Sequence, residues 1–150
     1  MPDTSLVIAL SAASVAVALT WQTIQTVRQE SSSPARLIAE LRLAQVAGLV
    51  LALVAGGFVG LASSAPAQPG AGLDVVLALG FAAAGLAALT REPREALTVM
   101  AAAFLLHALL DVAHRPGGLI DGAVPYWYVI GCAGFNAYLA LVCYWPVIRR

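Results

Sequence analysis

The sequence predicts an all-α integral membrane protein, a bundle of about five transmembrane helices, and three observations carry that expectation. Hydrophobic residues fill 61% of the 150 positions and charged residues only 11%, against about 25% charged in ordinary globular proteins. The apolar residues fall into five long runs separated by short clusters of Ser, Pro, Gly and charge. The arginines gather in alternate gaps between those runs, as positive charge does around membrane helices.

The runs cover about residues 5–22, 37–62, 73–90, 96–114 and 126–148. Each has roughly the 17–25 residues that cross a hydrocarbon core, and together they make residues 1–150 one transmembrane domain. β-Barrel strands would be about ten residues long with strict alternation, a pattern missing here. The breakers are Ser31-Ser32-Ser33-Pro34, the stretch 63–72 with two prolines, Arg91-Glu92-Pro93-Arg94-Glu95, and Pro116-Gly117-Gly118 running on to Pro125. Pro34 and Pro93 stand where the first turn of the next helix should begin, a position that needs no N–H donor. The longest connection, 63–72, reads as a flexible Pro/Gly/Ala loop on the outside.

Five crossings place Arg28, Arg36, Arg42, Arg91, Arg94, Arg149 and Arg150 on one side and Arg115 alone on the other. The positive-inside rule then puts the N-terminus outside and the C-terminus inside. The setting expected from this pattern is a bacterial cytoplasmic (inner) membrane. The first run is the weakest span: it contains Ser11, Ser14 and Thr20, and removing it leaves the arginine tally unchanged. A cleaved signal peptide would start with a positive segment. Residues 2–27 hold no Lys or Arg, so the run is read as an uncleaved helix.

Aromatic residues agree with this orientation. Tyr126, Trp127 and Tyr128 would form an outer belt, Tyr144 and Trp145 an inner one, with Trp21 at the inner end of the first span; amphipathic rings prefer those levels. Helix packing in lipid depends on small residues that let backbones approach. The candidates are Gly56-x-x-x-Gly60, Gly80-x-x-x-Ala84, Gly131 with Gly134, and Ala101-Ala102-Ala103. They predict a tight bundle, or contact with further copies of the chain or other membrane subunits.

Charge excludes some functions. Eight cations, all arginine, balance eight acids, so no basic tract suggests nucleic acid. No Gly-rich phosphate loop, G-x-S-x-G elbow or C-x-x-C motif is present. Cys132 and Cys143 lie eleven residues apart in one apolar run, a rise of about 16 Å on a helix. They are too far apart to bridge each other and read as packed free thiols.

The informative residues are polar ones inside spans, where an ionisable group costs about 2.5–3.5 kcal/mol at the helix centre. Glu40, Arg42, Asp74, His107 and Asp111 lie within or at the edge of spans, and His114 closes the fourth. Glu40 and Arg42 read as solvated end charges, with Arg36–Glu40 and Arg91–Glu95 spaced to pair, and Gln22 and Gln25 as interfacial. On the fourth helix, His107, Asp111 and His114 fall at i, i+4 and i+7, on one face. Asp74, near the outer start of the third helix, stands at a similar level, so all four side chains can converge.

Two imidazoles with one or two carboxylates suit a transition metal such as Zn²⁺, Cu²⁺ or non-haem iron, or a ligated cofactor. Asp111 would otherwise orient His107 as a supporting carboxylate, and a His/Asp ladder would also suit proton transfer. The competing structural reading has Asp111 and His114 capping the outer helix end, with His107 hydrogen-bonded through Asn136. The functional expectations are, in order, a metal- or cofactor-binding membrane protein, a non-catalytic subunit of a larger membrane complex, and an intramembrane enzyme on a lipid or quinone. A proton-handling channel completes the set.

Overall fold

The computed structural model describes residues 4–64, 70–114 and 124–149. It contains five helices: α1 (Thr4–Arg28), α2 (Pro34–Ser64), α3 (Ala71–Ala88), α4 (Pro93–Ala113) and α5 (Tyr126–Ile148). Each is long and apolar enough to cross a membrane. Parts of the connections discussed above, residues 65–69 and 115–123 with Arg115, lie outside the described residues, as does Arg150.

Helix starts follow the breakers. Pro34 and Pro93 open α2 and α4, as their missing N–H allows. Gly70 precedes α3 with φ 90°, a left-handed conformation that only a residue without Cβ adopts cheaply. The sequence boundaries differ most at α1, which runs on to Arg28. Hydropathy ends near Gln22, but helical hydrogen bonding continues until the Ser31–Pro34 cluster interrupts it. At 31 residues, α2 is about 46 Å long and overreaches a hydrocarbon core of about 30 Å.

α2 packs on α3 and α4 on α5, giving two antiparallel hairpins joined through α2–α4 and α3–α4 contacts; α1 lies against α5 and α2. Inward positions recur at alternating three- and four-residue steps. On α3 they are Ala71, Asp74, Ala78, Phe81, Gly85 and Ala88, the seam of left-handed helix packing. Large aliphatic side chains such as Leu53, Val76, Leu86, Leu109 and Leu141 point away from the bundle. Dispersion against lipid is as favourable for them as burial in protein.

The close helix approach is not where the small-residue motifs placed it. A Cβ added at Gly48 would stand 3.1 Å from the Gly85 carbonyl oxygen, and one at Gly85 would stand 3.0 Å from that of Gly48. Gly56, Gly60, Gly80, Gly131 and Gly134 have nothing within 4 Å of such an atom. Those five share the outward faces, whereas Gly48 and Gly85 fall on the inward seams of α2 and α3. Tyr128 also departs from the expected belt. Its ring stacks edge-on against Phe58 at 5.5 Å, while Trp21, Trp127 and Trp145 remain exposed as surface anchors would be.

α1 is held by polar contacts near its C-terminal half. Pro146, inside α5, has no N–H for the Val142 carbonyl. Thr23 Oγ1 donates to that carbonyl at 3.4 Å, as membrane helices re-satisfy freed backbone groups. One turn or so earlier, the Thr20 and Tyr138 hydroxyls hydrogen-bond. Leu6, Val7, Leu10 and Val17 are exposed, so the N-terminal half of α1 is largely uncovered.

Arg36 and Glu40 do pair, but they are not solvated: their side chains are 3% and 2% exposed. Arg36 Nε donates to Glu40 Oε1 at 2.6 Å and Nη1 to the Thr26 carbonyl at 2.8 Å. Nη2 donates to the carbonyls of Pro146 at 2.9 Å and Arg149 at 3.2 Å. Glu40 Oε2 faces Arg94 Nε at 3.5 Å. The ends of α1 and α5 and the starts of α2 and α4 therefore meet here, and the described arginines share this end of the bundle. Burial is tolerated because the guanidinium fork replaces water at carbonyls that helix ends leave open.

Two outcomes test this packing. Gly85→Ala is expected to lower unfolding stability in detergent by about 1–3 kcal/mol, while Gly60→Ala leaves it unchanged; equal effects would refute the assigned crossing. Arg36→Met should destabilise by about 3–5 kcal/mol by stranding Glu40, and adding Glu40→Met should recover part of that loss in the same measurement.

Candidate functional site

At the opposite end from Arg36, polar side chains from α3, α4 and α5 meet. Phe104, Met100 and Leu97 seal the core on the α4 side toward Arg36 and are fully buried. His107 and Asp111 extend the same inward face, 4% and 1% exposed. Asp74 comes from the first turn of α3, His114 from the end of α4, and Asn136 with Cys132 from α5.

Two arrangements result. In the first, His114 Nδ1 lies 2.8 Å from the Leu110 carbonyl oxygen and Nε2 lies 2.8 Å from Asp74 Oδ1. A carbonyl only accepts, so Nδ1 carries a hydrogen. Nε2 and Oδ1 are joined by a hydrogen bond between the two helices. His114 thus caps α4 and ties it to α3, in line with the structural reading of that residue.

In the second arrangement, contacts are incomplete. Asn136 Nδ2 donates to Asp111 Oδ2 and Cys132 Sγ, both at 3.2 Å. Asn136 therefore reaches Asp111 rather than His107. His107 Nε2 stands 3.7 Å from Asp111 Oδ1, beyond hydrogen-bond distance. His107 Nδ1, Asp111 Oδ1 and Asn136 Oδ1 are buried without a hydrogen-bond partner. The His107 ring is fixed by aromatics, stacked on Phe81 at 4.4 Å and tilted against Phe58 at 5.2 Å.

Ligand atoms of His107, Asp111 and Cys132 all lie within 4.8 Å of one another. A cavity of about 10 Å³ borders Phe81, His107 and Asp111 on one side and Asp74 and His114 on the other. That is near the room of one water molecule. The four residues expected from sequence do come together, but not as one ligand shell. Asp74 and His114 engage each other, and Cys132 stands beside His107 and Asp111 instead. The sequence held a signal for this in Cys132-x-x-x-Asn136, two polar-capable side chains one turn apart in mid-span.

The first arrangement makes a stability prediction. Asp74→Ala and His114→Ala should each destabilise by about 3–5 kcal/mol, and the double variant should fall well short of their sum in detergent unfolding. Additive losses would mean the two side chains do not act as a pair. The chain matches no protein-family model, no curated protein and no solved structure.

Proposed function

We propose that this is a membrane protein that binds a transition-metal ion through His107, Asp111 and Cys132. The N-terminus faces outside and the C-terminus inside, so the metal site lies in the outer half of the bilayer and Arg36 at the inner surface. The observation that carries the reading is that ligand atoms of His107, Asp111 and Cys132 all lie within 4.8 Å of one another, with Asp111 Oδ1 buried and without a hydrogen-bond partner.

Asp111 Oδ1 has a need that a cation meets. Imidazole nitrogen, carboxylate oxygen and thiolate sulfur form the mixed donor set of Zn²⁺ or copper sites. In a tetrahedral zinc site, ligand atoms stand about 3.5 Å apart, and His107 Nε2 and Asp111 Oδ1 are already 3.7 Å apart. A carboxylate and a thiolate also neutralise a divalent ion, so the filled site adds no net charge to the membrane interior. Asn136 Nδ2, touching both anionic ligands, supplies the outer hydrogen bonds that orient them.

The same column of residues favours proton handling as a second reading, because the hydrogen-bonded Asp74 and His114 line the same cavity as His107. Metal analysis separates the two. Protein purified after growth in zinc-supplemented medium is expected to carry about one metal ion per chain, and His107→Ala or Cys132→Ser to lose at least tenfold in metal affinity. Cobalt substitution should give a sulfur-to-metal absorption band that Cys132→Ser abolishes. Metal-free protein, or a band that survives Cys132→Ser, would overturn the assignment.

A further inference from the structure

A second polar feature lies on the Arg36 end of the bundle, outside the site already described. α1 and α2 diverge there to leave a groove of about 390 Å³, within the range of small-molecule sites. One wall carries Gln22, Gln25 and Gln29, at i, i+3 and i+7 on α1, so their amides form a single column. The other wall is α2, with Ala35 and Ala39 too small to fill the space and the exposed Arg42 beyond them along the helix.

The lining chemistry has one sign. Three amides and a guanidinium bring many N–H donors, and the groove has one cation and no carboxylate. Among the described residues, Arg42 forms no ion pair. Arg36 is consumed by Glu40 and helix carbonyls, Arg91 pairs with Glu95, and Arg94 faces Glu40; Arg28 and Arg149 form no ion pair among the described residues either, but they do not line the groove. The surroundings are apolar. Ile38 lines the groove, and Leu37 and Trp21 beside it are exposed by 54% and 61%.

An occupant must therefore offer an anion to Arg42 and the glutamines and hydrocarbon to Ile38, Leu37 and Trp21. We propose that the α1–α2 groove binds the phosphate head group of an anionic phospholipid. Arg42 contacts the phosphate, the Gln25 and Gln22 amides donate to its oxygens, and the acyl chains lie along the exposed aliphatic residues of α2. Arginine is suited to the task because its planar fork meets two phosphate oxygens at once. Basic pockets between membrane helices select anionic lipids on these grounds. The site also accounts for the column of glutamines, which no protein group engages through side-chain hydrogen bonds among the described residues.

The test is native mass spectrometry of the full chain in detergent, titrated separately with phosphatidylglycerol and phosphatidylcholine. Phosphatidylglycerol is expected to be retained several-fold better. Arg42→Gln should reduce its retention about five- to tenfold, Gln25→Leu less, and Arg42→Lys should keep part of it. Arg91→Gln, an exposed arginine at the same end, should leave retention unchanged. Helicity matched by circular dichroism checks that the variants fold. Equal loss with Arg91→Gln would reveal general charge attraction and overturn the proposal, as would equal retention of phosphatidylcholine. Displacement of the lipid by millimolar inorganic phosphate would overturn it too, by making a free anion the occupant.

Discussion

Buried backbone carbonyls have no water to turn to, and the bundle is organised around those near its helix ends and at one proline. Arg36 answers three of them at once, at Thr26, Pro146 and Arg149. Its remaining charge is balanced by Glu40, one turn along its own helix. An aliphatic residue there would take a donor from all three, leaving the Thr26 carbonyl only its bond from the Gln29 N–H. A lysine would offer its three donors from a single nitrogen, without the spread of the guanidinium fork across separated acceptors. The guanidinium is thus a joint that fixes where α1 and α5 stop relative to α2, and through Glu40 it reaches Arg94 at the start of α4.

That joint explains how the far end can stay underfilled. With the Arg36 end closed by ion pairs and the middle closed by Leu97, Met100 and Phe104, the opposite end is free to carry polar groups whose needs the protein itself leaves unmet. The two polar arrangements there divide the labour. Asp74 and His114 satisfy each other and hold α3 to α4. His107, Asp111 and Asn136 keep atoms in reserve. Phe58 and Phe81 fix the His107 ring without supplying a hydrogen bond, which leaves its nitrogens available while its position is set.

The five helices were legible because breakers and charges mark their ends as sharply in sequence as in space. The inward faces were not. Every face of these helices is apolar, so no amphipathic stripe announces the core, and large aliphatics point outward. Glycine spacing misled for that reason: Gly56 and Gly60 match a packing motif but face away, and the contact falls at Gly48 and Gly85, which stand alone. The i, i+4 spacing of Arg36 and Glu40 revealed their pairing but not their burial, which depends on where two distant helices terminate. His107, Asp111 and His114 were found because they share one helix. Cys132 was read as a packed thiol because its proximity to them depends on how α5 is rotated against α4.

The proline in α5 has a consequence for assembly. The carbonyl it frees is met by Thr23, 119 positions earlier in the chain, and Tyr138 meets Thr20 across 118. α1 emerges before α5 during synthesis, so its polar partners there are made later. Until then it has little besides α2 to pack against, and its threonines fall back on carbonyls of their own helix, as Thr20 and Thr26 still do. The bundle is therefore closed by its two ends meeting, so the order of synthesis is the reverse of the order in which α1 gains its place.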